Sequence, residues 1–65
     1  GIFTIMGLSG ATEVLVHNVV GELVLETTVD MQENSIDISD QRPGIYFITL
    51  KNSGQLKIHK MLLHK

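Results

Sequence analysis

The sequence predicts an all-β fold, a small β-sandwich of short antiparallel strands, and three observations carry that expectation. Alternation of period 2 recurs in almost every segment, whereas no stretch holds a helical period of 3.6 for three turns. Turn chemistry built on Gly, Asn, Asp, Ser and Pro interrupts the chain at a spacing of roughly ten residues, the pattern of short strands in a sandwich. The third observation is the final stretch, in which Pro43-Gly44, the run Ile45-Tyr46-Phe47-Ile48-Thr49-Leu50, the turn Asn52-Ser53-Gly54 and a second apolar run from Lys57 read as a hairpin.

Each element follows from its residues. Ile2, Phe3 and Ile5 place a first strand over residues 2 to 6, closed by Gly7-Leu8-Ser9-Gly10, a turn tolerant of positive φ. From Thr12 to His17 the alternation sets Thr12, Val14 and Val16 on one face and Glu13, Leu15 and His17 on the other, so Val14 and Val16 are expected in the core. Asn18-Val19-Val20-Gly21 reads as a tight reversal, with Asn favoured at its start and Gly supplying the left-handed residue. The third strand, Glu22 to Val29, sets Leu23 and Leu25 against Val24 and Glu26, and Asp30-Met31-Gln32-Glu33-Asn34 forms the next loop. Ser35-Ile36-Asp37-Ile38-Ser39 alternates again with Ile36 and Ile38 inward. Asp40-Gln41-Arg42-Pro43-Gly44 then breaks the pattern at a proline that lacks a ladder amide, which fits a crossover or a short edge.

Size and composition bound the function. A chain of 65 residues makes one domain and buries only about 60% of its unfolded surface, so its stability should be modest. With no cysteine there is neither a disulfide staple nor a thiolate metal site. The 43% apolar content and the net charge of −2 describe a soluble globular domain and offer no basic patch for nucleic acid. No window approaches the roughly 18 apolar residues that span a bilayer. The start, Gly1-Ile2-Phe3-Thr4-Ile5, has no initiator methionine, basic n-region or apolar h-region, so the chain is expected to be part of something longer.

Chemistry is sparse. His17, His59 and His64 are the candidates for metal or acid–base work, but an odd separation puts His59 and His64 on opposite faces of a strand. Glu33, Asp37 and Asp40 with Asn34 and Ser39 lack the spaced carboxylates and glycine of a calcium loop, so turn capping accounts for them. No G-x-S-x-G elbow accompanies Ser9, Ser35, Ser39 or Ser53. The sequence therefore calls for no enzyme, cofactor, metal or small-molecule substrate. Tyr46, the one tyrosine, is expected to pack half inside with its hydroxyl at the rim. Two readings of Lys51, Lys57, Lys60 and Lys65 stand side by side. Lysines on an edge strand protect it from sheet-to-sheet pairing, and lysines around Met61-Leu62-Leu63 also suit an edge-docking receptor.

Taken together, these residues resemble the type A C-terminal sorting domain of the type IX secretion system. Gly1-Ile2-Phe3-Thr4-Ile5 is similar to the family's opening strand. Thr12 through Val24 resembles its strand, Asn turn, Gly and Leu-Val return, with His17 standing where the family more often carries an aromatic. Asn34-Ser35-Ile36-Asp37-Ile38-Ser39 followed by Pro43-Gly44-Ile45-Tyr46-Phe47-Ile48 resembles its most characteristic segment, and Lys60-Met61-Leu62-Leu63-His64-Lys65 its closing run.

The resemblance implies an Ig-like antiparallel sandwich of about six to seven strands, with a further short strand hidden in residues 39 to 44. It implies a single domain over residues 1–65, the tail of a larger secreted protein of a Gram-negative bacterium. The implied partners are an N-terminal cargo domain, the type IX translocon and a sortase-like surface peptidase that removes the domain. The cargo would pass through the periplasm to the cell surface or the medium. The sorting-signal residues carried over are Gly44, Tyr46, Gly54, Lys60, Met61, Leu62, Leu63, His64 and Lys65, with Gly44 opening the penultimate strand, Tyr46 anchoring it and Gly54 closing the last hairpin. Self-association through the exposed edge is a further expectation. The alternative is an Ig-like accessory or ligand-binding module of a secreted enzyme, for which the absence of Trp and the single Tyr provide little sugar-stacking surface.

Overall fold

A computed structural model of the chain describes residues 2–6, 8 and 10–64. Gly1, Lys65 and, within the turn expected at residues 7 to 10, Gly7 and Ser9 lie outside the described residues. Six strands and no helix make up the described part: β1 (Ile2–Thr4), β2 (Thr12–Asn18), β3 (Leu23–Val29), β4 (Ser35–Asp37), β5 (Gly44–Asn52) and β6 (Gln55–Leu63). All pairings are antiparallel, in a four-stranded sheet of order β3-β2-β5-β6 and a two-stranded sheet β1-β4.

The core lies between the two sheets and follows from the alternation of β2 and β5. Val14, Val16 and Ile48 are fully buried, with Thr12 and Tyr46 on the same inner face, and Ile5, Ile36 and Ile38 close the core from the two-stranded side. The buried Thr12 hydroxyl donates to the Gly10 carbonyl at 3.2 Å and accepts from the Asn52 amide at 3.2 Å, so its burial leaves no polar atom orphaned.

Local polar chemistry sets the turns. The Asn18 side-chain oxygen accepts the backbone N–H of Val20 at 3.1 Å and of Glu22 at 2.9 Å, and the Gly21 N–H donates to the Asn18 carbonyl at 3.0 Å with Gly21 at φ +89°. Asp30 organises the β3–β4 loop by accepting the N–H groups of Gln32 and Glu33, each at 2.8 Å. Ser53 and Gly54, at φ +49° and +79°, are the two central residues of the β5–β6 hairpin, a primed turn that matches strand twist.

Four expectations are corrected. β1 ends at Thr4 rather than residue 6, although the buried Ile5 still donates its N–H to the Asn34 carbonyl at 2.8 Å, one step further along the β1–β4 register. β4 ends at Asp37 rather than residue 39, since the Asp37 carboxylate accepts both the N–H and the hydroxyl of Ser39 and turns the chain. The same turn, closed by Gln41 N–H to the Ile38 carbonyl at 2.9 Å, occupies the stretch in which a seventh strand was expected, so the described residues form six. Finally, Leu23 does not share a face with Leu25. A bulge between Val16 and His17 pairs Val16 with Leu25 but His17 with Leu23, which leaves Val24 as the extra residue and Leu23 50% exposed.

Candidate functional site

Of the residues carried over as the sorting signal, the β5–β6 hairpin carries Gly44, Tyr46, Gly54 and Lys60 to Leu63, with Lys65 outside the described residues, and its register decides which of them meet. Gly44 pairs with Leu63, Tyr46 with Met61 and Phe47 with Lys60. Residues directly opposite share a face, so Gly44, Tyr46, Met61 and Leu63 gather on the inner face at one end of the sandwich. Tyr46 and Leu63 are buried there and Met61 packs half-buried against the core. Lys60 and Leu62 lie on the opposite, outer face and are exposed, and His64 is exposed beyond the strand. Gly54 is in the turn at the far end of a nine-residue strand, roughly 27 Å away at the usual rise. A single contact therefore does not span both Gly44 and Gly54.

Two local features fix the gathered end. Gly44 has φ +153°, a conformation that side chains rarely adopt, and lets the crossover from β4 turn into β5. The Tyr46 hydroxyl donates to the Arg42 carbonyl at 2.6 Å, four residues upstream, so the ring pins the crossover to the strand that follows it. A tyrosine at the start of a strand bonded back to the preceding corner is the arrangement of the tyrosine corner in Ig-like sandwiches.

The other candidate chemistries are not assembled. His17 lies on the outer face opposite Phe47, His59 on the inner face opposite Ile48, and His64 past the end of β6. Among the described residues no group of three or more His, Asp or Glu side chains is placed to hold a metal ion. Ser35 shares a hydrogen bond with Thr4 at 3.3 Å, and Ser39 is engaged by Asp37. The carboxylates serve turns instead. The N–H groups of Glu33 and then Gln32 hold Asp30 below the ordinary aspartate range, and the hydroxyl and then the N–H of Ser39 do the same for Asp37.

One signal in the sequence escaped the reading by motifs. All seven acidic residues lie within residues 1–40 and all five basic residues within 41–65. The sheet order spreads this segregation across the molecule: β3, with Glu26, is one edge of the large sheet, and β6, with Lys57 and Lys60, is the other. Lys51 and Glu13, on adjacent strands near the middle, approach to 4.0 Å across half-exposed side chains. A plain tally of charge along the chain would have exposed this polarity.

Comparison with curated proteins and with solved structures gave no match. The family model described as the secretion system C-terminal sorting domain matches residues 1–64. With a match that runs from the start of the sequence to the residue after β6, the chain belongs to the family of type IX secretion system C-terminal sorting domains.

Proposed function

We propose that this domain is the address by which the type IX system exports an attached cargo. The membership of residues 1–64 in the sorting-domain family carries the reading. In it, a cargo domain precedes the sandwich, crosses the periplasm with it, and reaches the cell surface or the medium through the outer-membrane translocon. A sortase-like peptidase then removes the domain. The domain acts throughout as ligand and substrate of this machinery rather than as a catalyst.

The residues proposed to be read are Gly44, Tyr46, Gly54 and Lys60 to Lys65, in two roles that their positions support. Gly44, Tyr46 and Gly54, through backbone conformation and the bond to Arg42, hold the hairpin in shape. Lys60, Leu62 and His64 present side chains to solvent, while Leu63 is the buried residue that seats the strand end. A secreted reporter fused ahead of the domain tests the reading. Deletion of Lys60 to Lys65 should strand the reporter inside the cell envelope, and normal secretion of that truncation would refute the role of the segment.

A further inference from the structure

We propose that the free edge of β6 receives an extended segment of a partner protein in which apolar and acidic residues alternate. This deepens the sorting reading by specifying the chemistry of what docks, and it rests on that reading for its place in secretion.

The geometry starts from the turn. In a two-residue hairpin the flanking pair, here Asn52 and Gln55, exchanges both backbone bonds, and every second pair along the ladder does the same. Gln55, Lys57, His59, Met61 and Leu63 therefore direct their N–H and C=O groups to β5. Leu56, Ile58, Lys60 and Leu62 direct theirs away from the sheet, where no strand among the described residues pairs with them. The result is a row of four backbone docking positions on a nine-residue strand, which is the template that strand addition uses.

The two faces of this edge differ in chemistry. On the outer face the four docking residues are Leu56, Ile58, Lys60 and Leu62, and Leu56, Ile58 and Leu62 are 57%, 61% and 58% exposed. On the inner face Lys57 and His59 are exposed, because the two-stranded sheet leaves β6 uncovered and a groove lies between them and Phe3, Ile5 and Met6. A strand added to β6 continues both faces. Its side chains beside Leu56, Ile58 and Leu62 must be apolar to bury them, and those beside Lys57 and His59 must be acidic, to match the lysine's charge and to accept from the imidazole N–H. Alternation of period 2 is the consequence.

A second copy of this chain does not meet that specification. β6 carries no acidic residue, so β6 against β6 leaves its lysines without an acidic partner in any register. β3, the acidic edge, has the wrong phase, since its inner-facing residues are Leu25, Thr27 and Val29 and its outer-facing ones include Glu26 and Thr28. The lysines of the edge thus disfavour pairing between copies while admitting an acidic strand.

The test uses a capped seven-residue peptide alternating Val and Glu, titrated into the 65-residue chain and followed by backbone amide NMR and hydrogen exchange. Saturable binding should slow exchange at Leu56, Ile58, Lys60 and Leu62, and Ile58→Pro should weaken it about tenfold or more because that proline removes an outward N–H and leaves the β5 ladder intact. Lys57→Glu with His59→Glu should transfer preference to a peptide alternating Val and Lys. No saturable shift at millimolar peptide, equal binding by a composition-matched scramble, or equal binding to a folded Ile58→Pro variant would each overturn the proposal. Reporter secretion separates the two levels: if the unaltered fusion is exported and Ile58→Pro is exported equally well, edge docking fails and the sorting reading stands. Failure of the unaltered fusion itself to be exported would remove the sorting reading while the peptide titration still judges the edge.

Discussion

Replacing Gly44 by Val isolates the cost of one backbone conformation. A Cβ built on Gly44 meets nothing within 4 Å, so the branching carbon of the new side chain meets no obstacle. What remains is φ at +153°, a region close to glycine-only whose occupancy by another residue costs of order 1–3 kcal/mol. The ladder limits the upper end, because Gly44 pairs with Leu63 at the last rung of β5 and β6 and the strain can be relieved by opening that rung. Taking about 2 kcal/mol, a domain of this size should lose roughly 8–16 °C in Tm, since 1 kcal/mol corresponds to about 4–8 °C. Thermal unfolding followed by far-UV circular dichroism measures it. Gly10→Ala is the matched control, as Gly10 also has open space around its Cβ but no positive φ, and it should stay within about 0.5 kcal/mol. An unchanged Tm for Gly44→Val would refute the assigned conformation and with it the way the crossover enters β5.

Three further predictions follow from the same geometry. Tyr46→Phe keeps the buried ring but removes the donor to the Arg42 carbonyl, so stability in urea should fall by about 1 kcal/mol, and no change would mean that the hydroxyl does not pin the corner. Ile48→Ala empties a fully buried site at the centre of the four-stranded sheet; a loss of about 2–5 kcal/mol should unfold much of a domain this small, whereas a native-like spectrum and Tm would contradict the placement of the core. Asp30 and Asp37 have folded pKa values below the ordinary aspartate value, so their stabilising contribution is complete above that value and is lost as pH falls through the folded ones. The double variant Asp30→Asn with Asp37→Asn should therefore show a flatter acid limb of stability against pH, and an unaltered limb would show that these turn carboxylates do not set it.

The strands with a buried face were legible in the sequence because alternation and burial coincide in them. Val14, Val16, Ile36 and Ile38 point inward as their spacing requires, and Gly21 and Gly54 have the positive φ that their turns require, whereas Ser53 takes positive φ against its residue type. The errors arise where a local side chain competes with the ladder. Asp37 captures Ser39 and ends β4 early, and the bulge after Val16 changes the phase of β3, an event that period-2 counting cannot register. The hairpin and its individual residues were likewise visible, but not their grouping. Only the register shows that Gly44, Tyr46, Met61 and Leu63 share one end while Gly54 occupies the other. The exposure of Lys57 and His59 on the inner face depends on how far the two-stranded sheet reaches across the four-stranded one, which no single strand encodes.

The most direct test of the central claim is to fuse the 65 residues behind a fluorescent reporter bearing an export signal, in a bacterium possessing type IX secretion. Reporter location and the mature C-terminus by mass spectrometry are then read in the parent strain and in one lacking the translocon. Delivery to the surface or medium with the domain cut away, abolished without the translocon, is the predicted result. A folded, uncleaved fusion retained in the periplasm of the parent strain would contradict it.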